Sequence, residues 1–158
     1  DRLRQALAVA PETRTAWYLL GRIADARGRP NEALAAYQRE VANHPGAFLA
    51  AFIAALILAE EGRREEALDY CRLSIASDPP FGLPYFMIAA DHLARGTDFE
   101  EAIELCRVGI ESAPEDKNLL IGYQILLQLL QKTGDRNGYE RTLTRAEELR
   151  RRIESSTQ

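Results

Sequence analysis

Hydrophobic residues in this chain recur at three- and four-residue intervals, and the runs are interrupted at nearly constant distances. That period belongs to amphipathic helices, because positions i, i+3, i+4 and i+7 share one face. It predicts four helix pairs: 13–27 with 30–43, 46–60 with 63–76, 81–95 with 98–112, and 116–132 with 136–153. The interruptions carry signals of their own. Gly28, Gly62, Gly96 and Gly134 stand at the turn inside each pair, where a helix end favours a left-handed residue. Pro11, Pro45, Pro79 and Pro114 fall between pairs at spacings of 34, 34 and 35. Proline cannot continue a helix and restricts the residue before it. Ala33, Ala67 and Ala102 recur in phase with the first three glycines and are small enough for two helix backbones to cross closely. Asp98 with Glu101 and Asn137 with Glu140 have capping-box spacing, and Pro30 suits a first helical turn.

Three residue types in phase at one period define a repeat of helical hairpins. These residues resemble the tetratricopeptide repeat family. Its signature of Trp, Leu-Gly, Tyr, Ala, Phe, Ala and Pro is matched best in the first full repeat, by Trp17, Leu20, Gly21, Ala33, Tyr37 and Pro45. There Ala24 replaces Tyr and Glu40 replaces Ala. The second repeat keeps Gly62, Ala67 and Pro79 but carries Ala51, Ala54 and Ala55 at the bulky and glycine positions. The third has Tyr85, Ile88, Ala89, Gly96, Ala102 and Pro114, with one extra residue near Thr97. The fourth departs furthest, with a longer first helix and no closing proline.

The resemblance implies an all-α fold: an α-solenoid of antiparallel helix pairs in a TPR-like superhelix, with 1–158 forming a single array. Its parts would be a half repeat at 1–11 and helix pairs at 12–45, 46–79, 80–114 and 115–158. Leu3 and Leu7 mark the half repeat as the second helix of an incomplete pair, so the natural protein is expected to continue upstream of Asp1. The charged C-terminal helix, with Arg150 to Glu154, reads as a polar cap.

Composition narrows the function classes. At 46% hydrophobic and 28% charged residues, the chain suits a packed domain rather than a disordered one. A net charge of −4 and a pI near 5.3 leave no basic footprint for nucleic acid, and Arg150, Arg151 and Arg152 read as a solvated helix end. The longest apolar run, Ala47 to Ala59, has 13 residues, short of the roughly 20 that span a bilayer, so no membrane insertion is expected. Two cysteines build no disulfide framework and no signal-peptide layout is present, which makes the cytoplasm the default compartment.

The usual catalytic motifs are missing: there is no HExxH pair, GxSxG elbow, phosphate-binding glycine loop or CxxC. Cys71 and Cys106 take the same place in successive repeats and read as core filling. His92 falls where the resembled family has a buried Tyr and reads as a packed, hydrogen-bonded side chain, while His44 before Pro45 reads as exposed. No catalytic residue, metal site or cofactor is expected in this segment.

In the resembled family, partners usually bind the concave surface lined by the first helix of each pair. Helical phase puts Tyr18, Arg22 and Asp25 on that face in the first repeat, Leu49, Phe52 and Leu56 in the second, and Leu83, Phe86 and Leu93 in the third. In the fourth, Gln124 and Gln128 begin a polar stripe that ends at Gln131. The helix at 46–60 is apolar nearly all round, since Ile53 and Ile57 fill the remaining faces. Burying one Phe or Leu is worth roughly 1.5–3 kcal/mol, so leaving several of them wet would mark a binding site. The expected function is therefore protein–protein interaction, with a peptide or partner helix in a concave, centrally apolar groove framed by polar ends. Two other readings stay open: a scaffolding or regulatory C-terminal tail of a larger enzyme, and a structural module that self-associates as a homodimer. Tighter curvature, or an upstream segment, could also bury the apolar residues within the molecule. A grip on an acidic C-terminal tail is disfavoured, because Tyr18, Arg22, Ile53, Leu83 and Met87 hold the places where the family uses Lys, Asn and Arg.

Overall fold

The computed structural model describes Gln5 and residues 15–77, 79–113 and 117–156. The expected half repeat at 1–11 lies outside the described residues, Gln5 excepted. Among the described residues there are eight α-helices and no strand. Helices α1 (Ala16–Asp25), α2 (Pro30–Asn43), α3 (Phe48–Glu60) and α4 (Arg64–Ile75) belong to one compact unit, Asp1–Pro79. Helices α5 (Leu83–Arg95), α6 (Phe99–Ser112), α7 (Leu119–Thr133) and α8 (Arg136–Ser155) belong to a second, Pro80–Gln158. Every helix end falls within three residues of the position read from the hydrophobic period.

All four intra-pair turns are built alike. Gly28, Gly62, Gly96 and Gly134 adopt φ between 65° and 75°, the left-handed conformation that a side chain would strain. The residue after each glycine then donates its N–H to a carbonyl five positions back: Arg29 to Ala24 at 3.0 Å, Arg63 to Leu58 at 2.9 Å, Thr97 to His92 at 3.1 Å and Asp135 to Leu130 at 3.0 Å. This satisfies a carbonyl that the helix end leaves without a partner.

In the first unit α1 packs on α2, α2 on α3 and α3 on α4. Its core gathers Ala33, Leu34, Tyr37, Val41, Ala51, Ala54 and Leu58. The fully buried Tyr37 ring lies across Gly21 so closely that a Cβ there would stand 2.6 Å from it. On the neighbouring surface the Arg39 guanidinium sits 4.6 Å above the Trp17 ring. Glu40, the departure from the family pattern, has a structural task. It is 2% exposed, and its carboxylate accepts the N–H of Thr15 at 2.9 Å and of Tyr18 at 3.1 Å. Thr15, at the N-cap with φ 65°, makes no side-chain cap of its own, so a residue on α2 caps α1. Ser74 holds the corresponding place on α4 and donates its hydroxyl to the Phe48 carbonyl at 2.9 Å.

The second unit packs α5 on α6, α6 on α7 and α7 on α8, and α5 also meets α7. Its core combines Ala89, Ala102, Cys106, Leu126, Leu129 and Leu130. Beside it the Phe86 ring sits among three glycines. A Cβ at Gly82 would come 2.5 Å from the ring, one at Gly109 2.7 Å, and one at Gly122 closer still.

The capping signals are corrected in two places. Asp98 does occupy the N-cap of α6, but in the left-handed region and without a side-chain cap hydrogen bond. The cap of α8 is Asp135, whose Oδ1 accepts the Gly138 N–H at 2.8 Å, and Asn137 lies inside the helix.

Candidate functional site

Of the residues that helical phase assigns to packing, Trp17, Leu20 and His92 are only half-buried, and the others lie inside. Gly21 and Ala24 on α1, Ala51, Ala54, Ala55 and Leu58 on α3, and Tyr85, Ile88 and Ala89 on α5 are all buried. The opposite, first-helix faces divide into residues that remain accessible and residues that do not.

On α1, Arg22 and Asp25 are exposed and Tyr18 is half-buried, its ring centroid 5.8 Å from that of Tyr37. On α3, Leu49 and Leu56 are each 40% exposed, and half-buried Ile53 lies between them at four- and three-residue spacing. These three share one stripe. Phe52 does not join them in the open, being only 6% exposed.

On α5 the expectation of an open apolar face is overturned more strongly. Phe86 is 2% exposed, and the reason is local: Gly109 on α6 and Gly122 on α7 remove the side chains that would keep the ring out. Leu83 is half-buried, and Leu93 packs against the Ala89, Ala102 and Leu126 core. Gln124 and Gln128 on α7 are exposed. With Leu120, Leu127 and Leu143 they line a groove of about 300 Å³ between α7 and α8.

A cleft of about 560 Å³ among α6, α7 and α8 was not foreseen from the sequence. Arg107, Arg141 and Arg145 line it together with Glu111 and Glu148, a mixed rim that favours neither sign of ligand charge. Its signal would have been the arginines four apart on α8, which share a face.

The titratable groups are placed for packing. Cys71 and Cys106 are fully buried, and burial pushes both thiols up to about 12, so neither is a thiolate nucleophile near neutral pH. His92 is packed, but its buried Nδ1 has no hydrogen-bond partner among the described residues, with the Asp98 carboxylate 3.6 Å away. His44 is half-buried rather than exposed. Among the described residues no group of His, Cys, Asp and Glu could hold a metal ion. Nor is any described helix long and apolar enough to cross a membrane.

Within each unit, helix pairs that turn on a left-handed glycine and pack in sequence follow the plan of an α-solenoid, an array of helical hairpins. The sequence profile of the tetratricopeptide repeat matches residues 1–48 and 21–80, just over half of the chain, and the chain belongs to that family. The fold is one that generally mediates protein–protein interaction, and its members are generally non-catalytic. No curated protein matches the chain.

Solved structures of similar fold include MamA, with a TM-score of 0.73, 19% identity, and coverage of 95% of this chain and 85% of that one. MamA 41-end from Desulfovibrio magneticus RS-1 has a TM-score of 0.66 at 17% identity, over 94% and 82% of the two chains. YrrB, described as a TPR protein with an unusual peptide-binding site, has a TM-score of 0.74 at 13% identity, over 94% and 75%. At these identities the likeness is one of fold.

Proposed function

We propose that the chain is a non-catalytic interaction module that holds a peptide or partner helix against the first-helix faces of its repeats. The observation that carries this reading is α3. From Phe48 to Ala59 it has no polar side chain, and two of its leucines, Leu49 and Leu56, stay 40% exposed on one stripe. A helix without a polar face is normally covered on all sides, and exposed apolar stripes on a soluble surface mark docking sites. Tyr18, Arg22 and Asp25 on α1 lend this unit a polar region, and Gln124 and Gln128 give the second unit a polar first-helix face. Phe52 and Phe86 belong to the packing that holds these faces rather than to the contact surface.

The test is peptide-display selection on the chain, followed by binding of the enriched peptides to a Leu49→Gln/Leu56→Gln variant. Enrichment of peptides with an apolar centre, and loss of their binding in a variant with unchanged circular dichroism, is the expected result. Peptides that bind the variant as well as the parent would remove α3 from the site. Light scattering in parallel separates this reading from self-association, which would show a mass that rises with concentration and falls in the same variant.

A further inference from the structure

The first hairpin carries a hydrogen-bonding group that no other described residue uses. Tyr37 is fully buried, yet its hydroxyl has no hydrogen-bond partner among the described residues. Such a group ordinarily costs about 1–3 kcal/mol if left unsatisfied, so native structures rarely tolerate one without a use for it.

The hydroxyl reaches this place through a specific device. Gly21 lacks the Cβ that would block the Tyr37 ring, so the ring crosses α1. The phenol is raised to about 12 by burial and by the neighbouring Asp25 and Tyr18, while Arg22 pulls it down, so all three lie within electrostatic reach of it. Arg22 and Asp25 are exposed, and neither side chain has a hydrogen bond or ion pair among the described residues. The second and third repeats place alanine and cysteine at the positions of Gly21 and Tyr37, and so deliver no hydroxyl.

We propose that Tyr37, Arg22 and Asp25 form a subsite for the side-chain carboxamide of an asparagine or glutamine in a bound peptide, with Tyr18 moving aside to admit it. The chemistry selects that group. Arg22 offers only donors, Asp25 only acceptors, and the Tyr37 hydroxyl both. A carboxamide presents one carbonyl acceptor and one NH₂ donor pair, matching both sides. A carboxylate would gain from Arg22 but meet the negative charge of Asp25, and an aliphatic side chain would leave all three groups unmatched. The subsite deepens the reading that partners lie against the first-helix faces, and rests on it.

The test uses the full 158-residue chain, ¹⁵N-labelled and titrated with three blocked tripeptides, Leu-Gln-Leu, Leu-Glu-Leu and Leu-Leu-Leu. The glutamine peptide should bind about fivefold more tightly than the other two, the worth of roughly one net hydrogen bond. Its shifts should centre on Gly21, Arg22 and Asp25. Tyr37→Phe should keep the fold and its melting temperature but abolish the preference. Equal binding of all three peptides, preference for glutamate, or a preference that survives Tyr37→Phe would each overturn the subsite. If the three peptides shift Leu49 and Leu56 equally without that preference, docking on the first-helix face stands and the subsite alone falls. If none shifts either region, both fall.

Discussion

The first and third hairpins use one backbone plan and pack it by opposite means. In the first, the glycine lies on the first helix and the aromatic ring on the second: Gly21 receives Tyr37. In the third, those repeat positions hold Ala89 and Cys106, two small side chains that share a core cluster. The ring has moved to the first helix as Phe86, and its glycines to Gly109 on α6 and Gly122 on α7. A second position shows the same freedom. Glu40, Ser74 and Gly109 are repeat-equivalent, and each meets the start of its own hairpin's first helix. One offers a carboxylate to two N–H groups, one a hydroxyl to a carbonyl, and one no side chain at all. What the repeat conserves physically is filled volume and satisfied backbone, not the residue that provides either.

The largest effect that could break this comparison is removal of the Phe86 ring. Phe86→Ala would empty a cage whose glycines cannot lean in to refill it, and should destabilise the second unit by about 3–5 kcal/mol. Urea unfolding followed by circular dichroism would report it, while fluorescence of Trp17, the single tryptophan, reads the first unit separately. A loss below about 1 kcal/mol would mean the ring is not structural and could return to the contact surface.

That residue also marks where the sequence stopped being legible. Helix number, pairing and ends could all be read, because turn glycines and period-3.6 stripes are local signals. Placing Phe86 on an open face followed from the phase of α5 alone, which assigns a direction but not what stands opposite. The missing signal was Gly109 and Gly122, glycines inside helices where each costs roughly 1 kcal/mol relative to alanine and must therefore admit a close neighbour. Glu40 was visible as a departure from the family pattern, but its role needed the distance to Thr15 and Tyr18. The expected first-helix face was half legible for the same reason: Leu49 and Leu56 stay exposed, whereas Phe52 and Phe86 are buried.

A double-mutant cycle sharpens the comparison at the glycine itself. Gly→Ala inside a helix normally gains about 1 kcal/mol of propensity. At Gly21 the new methyl would drive into Tyr37, so a net loss of about 1–3 kcal/mol is expected. Adding Tyr37→Cys recreates the alanine–cysteine pair of the third hairpin and should recover at least half of what Gly21→Ala loses in that background. Simple additivity in the cycle would show that the two positions do not exchange volume.

Glu40 tests the second shared position. Glu40→Ala leaves the Thr15 and Tyr18 N–H groups without their acceptor and should cost about 1–2 kcal/mol, the scale of a lost helix cap. Glu40→Gln keeps one acceptor oxygen, turns an NH₂ toward the second N–H and loses the charge at the helix N-terminus, and should fall between. Thermal melts of the three proteins would check the order. If Glu40→Ala and Glu40→Gln melt together below the parent, a single retained acceptor is worth little and the cap needs the full carboxylate.

The smallest effect is expected where the surface is free for another use. Leu56 is 40% exposed, whereas Phe52, one turn earlier on α3, is 6% exposed. Leu56→Gln should therefore change stability by no more than about 0.5 kcal/mol, the range of ordinary surface substitutions. Phe52→Ala should cost several kcal/mol, as a large-to-small change in a core does. Two residues on one apolar helix would then differ because only one of them is already committed to the fold. A stable Leu56→Gln variant that has lost peptide binding would identify the leucine stripe as surface kept apolar for a partner. A variant that is itself destabilised by more than about 1 kcal/mol would instead assign Leu56 to packing, and α3 would no longer offer an unoccupied face.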